Sequence, residues 1–345
     1  MKTSLNACDQ KRRSFLKLSG LLGLGVASAA LLPLEKAESL LFHRNEYKVT
    51  KTRLSMGTFV DMTAIHHSRD EAENAIGMAF AEVDRLCAML TRYDNKSPVA
   101  ELNALRKLER PSIEIQELIA RSLYFNRDTR GAFDVTVKPL IDLYKDRFAT
   151  GGQPTDTDID AALSIVGAEK LRFQQGDLSL SVAGMGITLD GMAPGYIADR
   201  ASEILTKNGI TNHLVNAGGE IRVSGAAAMN KSWTVAIQDP NKNKNFPDVI
   251  DLREGAISTS GNYEVFYDRE KLFHHIVNGK TGHSPHLSTS VTVMAPTALD
   301  ADILSTAVFV MEPEAGLAYI NARPGYECFI LDGHGRSLKS TGWPV

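Results

Sequence analysis

Strand-like and helix-like segments follow one another along this chain without a regular strand–helix–strand repeat. A parallel sheet would require that repeat, because each parallel connection crosses over through a long segment, usually a helix. Its absence predicts an α+β fold, with a mixed or antiparallel sheet and helices packed against it. No Pro/Gly-rich linker divides the segments beyond the N-terminal region. We therefore predict a single domain over residues 42–345.

The element pattern is strongest where apolar residues recur every three or four positions, which is typical of one buried helix face. We predict helices over residues 70–93, 113–125, 194–208 and 301–311. Alternating or short apolar runs predict strands over residues 47–55, 58–65, 213–215, 220–223, 233–237, 264–267, 288–293 and 328–331. The last strand meets Asp332-Gly333, a pair that favours a hairpin turn. Ser112 and Pro194 stand where helix starts are expected.

Charge is distributed unevenly along the chain. The formal net charge is −3, and residues 1–29 hold five basic residues against Asp9, a balance of +4. The remaining residues therefore carry −3 − 4 = −7. An acidic body argues against a nucleic-acid partner bound by counterion release.

Three cysteines are too few for a disulfide framework. We expect Cys87 and Cys328 to be two buried thiols, with a disulfide between them as the alternative.

The N-terminal region has the order of an export signal. A basic segment precedes an apolar, small-residue run from Ser19 to Leu32, and Ala27-Ser28-Ala29 offers a cleavage site. The pair Arg12-Arg13 resembles the twin-arginine type. We predict a signal and linker over residues 1–37 and a periplasmic location; an uncleaved anchor helix, giving membrane association, is the alternative.

Oxygen donors recur one turn apart in the predicted helix 301–311. Asp302 and Thr306 are separated by four residues and would share one helix face. Both are hard donors suited to Mg²⁺ or Ca²⁺. The alternative is that Asp302 balances the helix N-terminus and Thr306 packs inward. Spacing alone leaves both possibilities open.

A second candidate is the histidine pair His274-His275, at the end of a predicted strand. Adjacent strand residues face opposite sides, so the two form a poor metal pair and only one can face a site. A single general base is one interpretation, and a packing or turn-capping histidine is the other. Asp134, beside Phe133, is likewise either a ligand-binding residue or a turn cap.

The order of these segments resembles the ApbE family of FAD:protein FMN transferases over roughly residues 50–312. The matching segments are Met56-Gly57-Thr58, Leu90-Thr91-Arg92-Tyr93, Ser97, Leu102-Asn103, Gly131-Ala132-Phe133-Asp134-Val135-Thr136, Asn216-Ala217-Gly218-Gly219-Glu220-Ile221, Thr259-Ser260-Gly261, His275 to Gly282, and Ala301-Asp302 to Ala307. Several motifs in one order make chance similarity a poor explanation.

The resemblance implies an ApbE-like α+β catalytic domain that transfers FMN from FAD, with Mg²⁺, to a Thr or Ser hydroxyl of a partner flavoprotein, releasing AMP. Asp302 would be a catalytic metal ligand, and His275 would help activate the hydroxyl. By resemblance the metal ligands are Gly191 through its backbone, Asp302, Ser305 and Thr306. The residues implied to contact FAD are Met56, Tyr93, Ser97, Ala132, Phe133, Asp134, Thr188, Pro194, His275 and Ile276.

The chain departs from the family pattern at three points. Thr188 and Pro194 replace the usual Asp and Lys, and Asn278-Gly279 replaces the usual Asp-Pro. Asp190 offers a displaced carboxylate. The Thr-Leu-x-Gly pattern, the twin-arginine signal and the paired histidines resemble the subgroup associated with nitrous-oxide respiration, whose acceptor is a membrane-bound flavoprotein. An FAD pyrophosphatase that uses water, and a non-catalytic periplasmic FAD-binding protein, are the alternative functions.

Overall fold

The computed structural model describes residues 40–42 and 46–344, except residues 175, 241–245, 264–265 and 269–272. The predicted export signal lies outside these residues, and the domain start at residue 42 stays a prediction. In chain order the elements are β1 (Leu40–Phe42), β2 (Glu46–Ser55), β3 (Thr58–His66), α1 (Arg69–Leu90), α2 (Pro98–Leu105), β4 (Lys107–Leu108), α3 (Ile113–Asp128), α4 (Lys138–Ala149), α5 (Asp156–Leu163), β5 (Leu171–Gln174), β6 (Asp177–Leu180), α6 (Ala193–Lys207), β7 (Asn212–Ala217), β8 (Glu220–Ser224), β9 (Trp233–Ala236), β10 (Val249–Leu252), β11 (Gly255–Gly261), β12 (Ser288–Ala295), α7 (Ala298–Val310), α8 (Pro313–Asn321), β13 (Glu327–Asp332) and β14 (Ser337–Lys339).

The chain divides into two compact units. The first contains the chain up to Asp84 and Ile197–Ala256, and the second contains Arg85–Tyr196 and Ile257–Trp343. In the first unit, β1, β2, β3, β7 and β8 lie side by side in that order and pair antiparallel. A separate antiparallel pair joins β9 and β10. The predicted α+β class is confirmed.

Burial in the first unit follows the sequence pattern. Val60, Met62 and Ala64 alternate along β3 and are fully buried, as period-2 patterning predicts for a strand with one face on the core. The apolar stripe of α1 is also buried, including Ala72, Ile76 and Ala79. The helix predicted over residues 70–93 is confirmed, ending three residues earlier, at Leu90.

The second unit contains β11, β12, β13 and β14 side by side, and a small sheet in the order β4, β6, β5. Helix α7 packs along β12, and α8 packs along β13. Nearly every side chain of α7 is buried, so the predicted buried helix is confirmed. It begins at Ala298, after Thr297, whose hydroxyl accepts from the Asp300 amide at 3.2 Å.

Four helices were not predicted from the sequence: α2, α4, α5 and α8. The expected hairpin is present, but four residues separate Asp332 from Ser337, and the Gly335 amide donates to the Asp332 carbonyl at 3.0 Å. The predicted strand 264–267 falls partly outside the described residues, and Phe266 forms only an isolated bridge with His274.

Neither cysteine in the described part of the chain forms a disulfide; Cys328 is buried and Cys87 is half-buried. Over the same residues, no helix combines the length and the apolar character needed to cross a membrane.

Candidate active site

The oxygen donors of α7 lie together in the second unit. Asp302 and Ser305 are buried, at 5% and 0% exposure, and Thr306 is half-buried. The Ser305 hydroxyl donates to the Asp302 carbonyl at 3.0 Å, one turn back along the helix. Ser305 therefore bonds the backbone of Asp302, while the Asp302 carboxylate and the Thr306 hydroxyl, four residues apart, share one face of α7.

The Asp302 carboxylate lies at the start of α6. Its Oδ2 accepts from the Gly195 amide at 3.0 Å, an interaction favoured by the positive end of a helix. Gly195 is necessary at this contact, because a Cβ there would lie 2.3 Å from the Ala298 carbonyl oxygen and 2.8 Å from the Asp302 Cβ. A carboxylate has two oxygens and about four acceptor directions, so this bond leaves capacity for a cation.

Three segments that are distant in sequence meet near Thr306. A Cβ built on Gly191 would lie 3.3 Å from Thr306 Oγ1 and 3.8 Å from Phe133 Cε2. The segment containing Gly191, the loop containing Phe133 and α7 are therefore adjacent. This arrangement brings together residues that the sequence predicted for metal binding and for flavin binding.

Ser260, in β11, connects these hydroxyls and was not assigned a role from the sequence. Its Oγ lies 2.8 Å from Ser305 Oγ and 3.2 Å from Thr306 Oγ1. Ser258, two residues earlier on the same face of β11, lies 3.5 Å from Ser305. The signal in the sequence was the hydroxyl-rich run Thr259-Ser260-Gly261, which identifies no partner without the tertiary fold.

Asp134 acts as a cap, one of the two roles that the sequence left open. Its carboxylate accepts from the Thr136 amide at 2.7 Å and from the Thr136 hydroxyl at 2.6 Å, at the start of a 3-10 turn over Val135–Val137. Burial raises the pKa of this carboxyl. Ala132, two residues earlier, is half-buried, and a Cβ built on Gly279 would lie 3.5 Å from the Asp134 Cβ.

Thr188, which stands where the family pattern has Asp, is buried. Its amide donates to the Val135 carbonyl at 2.8 Å, and its hydroxyl accepts from the Asp190 amide at 3.2 Å. Asn103, in α2, holds the preceding residue by bonding both the amide and the carbonyl of Ile187, at 2.7 and 3.0 Å. This loop is therefore fixed by hydrogen bonds from two elements.

Asp190 binds Arg92 and Tyr93. The Arg92 Nε donates to Asp190 Oδ2 at 2.9 Å, and the Tyr93 hydroxyl donates to the same oxygen at 3.2 Å. The Arg92 guanidinium lies 4.5 Å from the centre of the Tyr93 ring, which is 62% exposed. Asp142 is 3.5 Å from Arg92 Nη1. The carboxylate two residues after Thr188 therefore has a defined role in orienting an exposed aromatic ring.

Ser97 and Pro194 occupy helix starts. Ser97 caps α2, accepting from the Ala100 amide at 3.0 Å and donating to the Thr91 carbonyl. Pro194 is the second residue of α6, where a missing N–H is tolerated. Ser97 is 1% exposed, so it supports the loop that carries Tyr93.

The two adjacent histidines differ in exposure, although they lie outside any regular strand, with His274 in an isolated bridge to Phe266. His274 is fully buried, and its Nε2 lies 2.8 Å from the Pro285 carbonyl oxygen. Burial lowers its pKa to about 4, so it is neutral at ordinary pH. His275 is half-buried and Ile276 is buried. His275 is therefore the member of the pair with access to solvent.

An aromatic cluster supports the loop that follows. Tyr144 stacks with Tyr267 and Phe148, with ring centres 6.1 and 6.5 Å apart, and its hydroxyl donates to the Gly282 carbonyl at 2.6 Å. Gly282 has φ +74, and a Cβ there would lie 2.4 Å from Ile159. The loop containing Asn278 and Gly279 is therefore packed on α4 and α5.

Met56 lies in the first unit. Met56 and Gly57 form the two-residue turn between β2 and β3, with φ values of 54 and 76. Positive φ at both positions is typical of a type I′ hairpin. The Met56 side chain is half-buried.

The sequence profile of the ApbE family matches residues 56–330. The chain belongs to the ApbE family. A curated relative in Klebsiella pneumoniae, named FAD:protein FMN transferase, is 30% identical over 300 residues, which cover 83% of this chain and 85% of the relative. A relative of the same name in Escherichia coli K12 is 29% identical, covering 89% and 90% of the two chains.

Solved structures agree with this assignment. The ApbE protein of Thermotoga maritima superimposes with a TM-score of 0.76 at 27% identity, covering 85% of this chain and 97% of that one. The apo form of the Pseudomonas stutzeri flavinyl transferase ApbE gives a TM-score of 0.74 at 26% identity, covering 86% and 96%. The predicted family and fold are both confirmed.

Proposed function

We propose that this protein transfers FMN from FAD to a hydroxyl of a partner flavoprotein. The observation that carries the proposal is that Thr306 meets Gly191 and Phe133 while Asp302, one turn earlier on α7, meets Gly195. The chain's curated relatives are named FAD:protein FMN transferase. Oxygen donors and a neighbouring aromatic suit a substrate with a diphosphate and a flavin ring.

The donor set fits Mg²⁺. Asp302, Ser305, Thr306 and a backbone oxygen near Gly191 are all hard oxygen ligands, which this cation prefers and which zinc sites rarely use alone. We propose that these residues hold the ion. When bound, it would neutralise charge on the diphosphate and stabilise the leaving AMP.

The remaining chemistry falls to the side chains. In the proposed step the hydroxyl oxygen of the acceptor bonds to the FMN phosphorus of FAD. The bond from that phosphorus to the bridging oxygen breaks, and AMP leaves with the electron pair. His275 would accept the hydroxyl proton, because His274 is buried and its low pKa makes it a weak base.

We propose the flavin contacts from the family resemblance and from the exposure and hydrogen bonds of these residues. Tyr93 is an exposed ring oriented by Arg92 and Asp190, and Ala132, Phe133 and Ile276 supply apolar surface. Ser97, Asp134 and Thr188 would act through the loops that their hydrogen bonds fix, and Pro194 would act at the start of α6. The role of Met56 stays an expectation from the family resemblance. Export through the N-terminal signal would place the enzyme in the periplasm, attached to the membrane if the signal stays uncleaved, with a membrane-bound redox protein as acceptor.

The proposal is tested by mixing the mature protein with FAD, Mg²⁺ and candidate flavoprotein domains, and following both AMP release and covalent flavin on a denaturing gel. Covalent flavin that appears with one AMP per transfer, and that is lost in Asp302→Ala, supports it. Asp84→Ala, which removes an exposed carboxylate in α1, is the matched control and should be fully active. AMP release with no labelled acceptor would identify a pyrophosphatase, and tight FAD binding without turnover would identify a carrier.

A further inference from the structure

The structure points to a second cation site, distinct in chemistry from the oxygen donors of α7. His66, His67 and Glu71 lie in the first unit, where β3 ends and α1 begins. One ligand atom from each lies within 4.8 Å of the other two. Two imidazoles and one carboxylate form a ligand set for Zn²⁺ or a similar transition-metal ion, and a poor one for Mg²⁺.

The end of the strand makes this histidine pair different from His274 and His275. His66 is the last residue of β3, so His67 lies beyond the regular strand and is not constrained to the opposite face. The two rings have centres 4.0 Å apart and planes inclined by 34°. The rings of His274 and His275, by contrast, are centred 6.4 Å apart.

His66 has the features of an anchored ligand. Its side chain is 10% exposed, its Nδ1 accepts from the Ser68 amide at 3.2 Å, and the Ser68 carbonyl oxygen lies 3.2 Å from the same nitrogen. An ion on Nε2 requires the other tautomer, in which Nδ1 donates to the Ser68 carbonyl and Nε2, 3.9 Å from Glu71 Oε2, keeps its lone pair. Histidines that bind metals commonly donate their second nitrogen in this way, which fixes the ring and raises ligand basicity.

The other two ligands need only small movements. Bonds of about 2.1 Å place tetrahedral zinc ligands about 3.4 Å apart, compared with the separation of at most 4.8 Å found here. His67 and Glu71 are both exposed, so rotation of their side chains can close this difference while His66 stays fixed. Water would occupy the fourth position.

We propose that His66, His67 and Glu71 bind one Zn²⁺-class ion, which fastens the end of β3 to the first turn of α1. The proposal is independent of flavin transfer, because none of these residues is assigned to that reaction. Its expected consequence is added thermal stability in the presence of zinc, since an ion that binds only the folded state stabilises it.

The test is equilibrium dialysis of the purified mature protein with ZnCl₂ in excess MgCl₂, together with Co²⁺ absorption spectra and thermal melts. We expect one equivalent of zinc, a cobalt spectrum typical of nitrogen ligands, and a higher Tm. His67→Ala and Glu71→Gln should each weaken zinc binding by at least about tenfold and abolish the Tm rise. Both positions are exposed, so the variants should fold normally.

His334→Ala removes another exposed histidine and should bind zinc as the parent does. Equal zinc affinity in the parent and both ligand variants would overturn the proposal. So would the absence of stoichiometric binding in the parent, since the pair would then be an ordinary surface feature.

Discussion

Replacing Gly195 with alanine tests the contact that places Asp302. The new Cβ would lie 2.3 Å from the Ala298 carbonyl oxygen, 2.7 Å from its carbonyl carbon and 2.8 Å from the Asp302 Cβ. Ordinary contact distances are longer by about 1 Å, and the obstructing atoms are mostly backbone, which cannot rotate away. The backbone around Gly195 must therefore move away from α7, and the Gly195–Asp302 hydrogen bond of 3.0 Å must lengthen.

Overpacking of this kind costs about 1–3 kcal/mol of folding free energy. We expect Gly195→Ala to lower the free energy of unfolding in urea by that amount and to raise the Mg²⁺ concentration needed for flavin transfer. Gly77→Ala is the matched control, because a Cβ at this glycine of α1 meets nothing within 4 Å; it should be neutral or stabilising by up to about 1 kcal/mol. Parent-like stability and Mg²⁺ dependence in Gly195→Ala would refute the reasoning about this contact.

Three further changes probe the site and its surroundings. Ser260→Ala removes hydrogen bonds to Ser305 and Thr306 that contribute roughly 1 kcal/mol. The Mg²⁺ concentration needed for half-maximal transfer should therefore rise about fivefold, and an unchanged Mg²⁺ titration would contradict this. Asp190→Asn removes the charge that holds Arg92, and the KM for FAD should rise about fivefold with a smaller change in kcat, measured by steady-state AMP release. His274 has a pKa of about 4 in the folded chain and about 6.5 in the unfolded chain, so the unfolded chain takes up its proton first as the pH falls. This difference contributes roughly 3 kcal/mol to the free energy of unfolding above pH ~6.5, and the contribution is lost as the pH falls toward 4. His274→Gln should flatten that part of a pH series of urea melts, whereas His334→Gln should not.

The helices and strands that could be predicted from the sequence were those with a clear apolar period of their own. The helix 70–93 and the strand 58–65 have clean apolar periods, and both are present within a few residues. Helix α2 was missed because it is only eight residues long, too short for periodicity to distinguish it from a loop. Its cap, Ser97, was assigned only by resemblance.

The candidate site could be predicted only in part, because its contacts depend on the tertiary fold. The spacing of Asp302 and Thr306 indicated a shared helix face, but left open whether that face met a site or the core. The answer depends on Gly191, Gly195 and Ser260, which reach α7 only through the tertiary fold. Likewise, the replacement of an Asp by Thr188 suggested a lost carboxylate, whereas the fold engages Asp190 with Arg92.

The histidine pair at the start of α1 was also outside what the sequence indicated. Neither His66 nor His67 belongs to a spaced metal motif, and their proximity depends on where β3 ends. A one-residue extension of the strand would have placed His67 on the opposite face. Such sites follow from element boundaries, which sequence patterns define least well.

The most direct test of the account is mass spectrometry of an acceptor domain after incubation with the mature protein, FAD and Mg²⁺. The account predicts a mass increase equal to one FMN less water on a single Thr or Ser, absent with EDTA and absent with Asp302→Ala. An acceptor labelled equally well without Mg²⁺ or by Asp302→Ala would contradict the central claim that the oxygen donors of α7 drive the transfer.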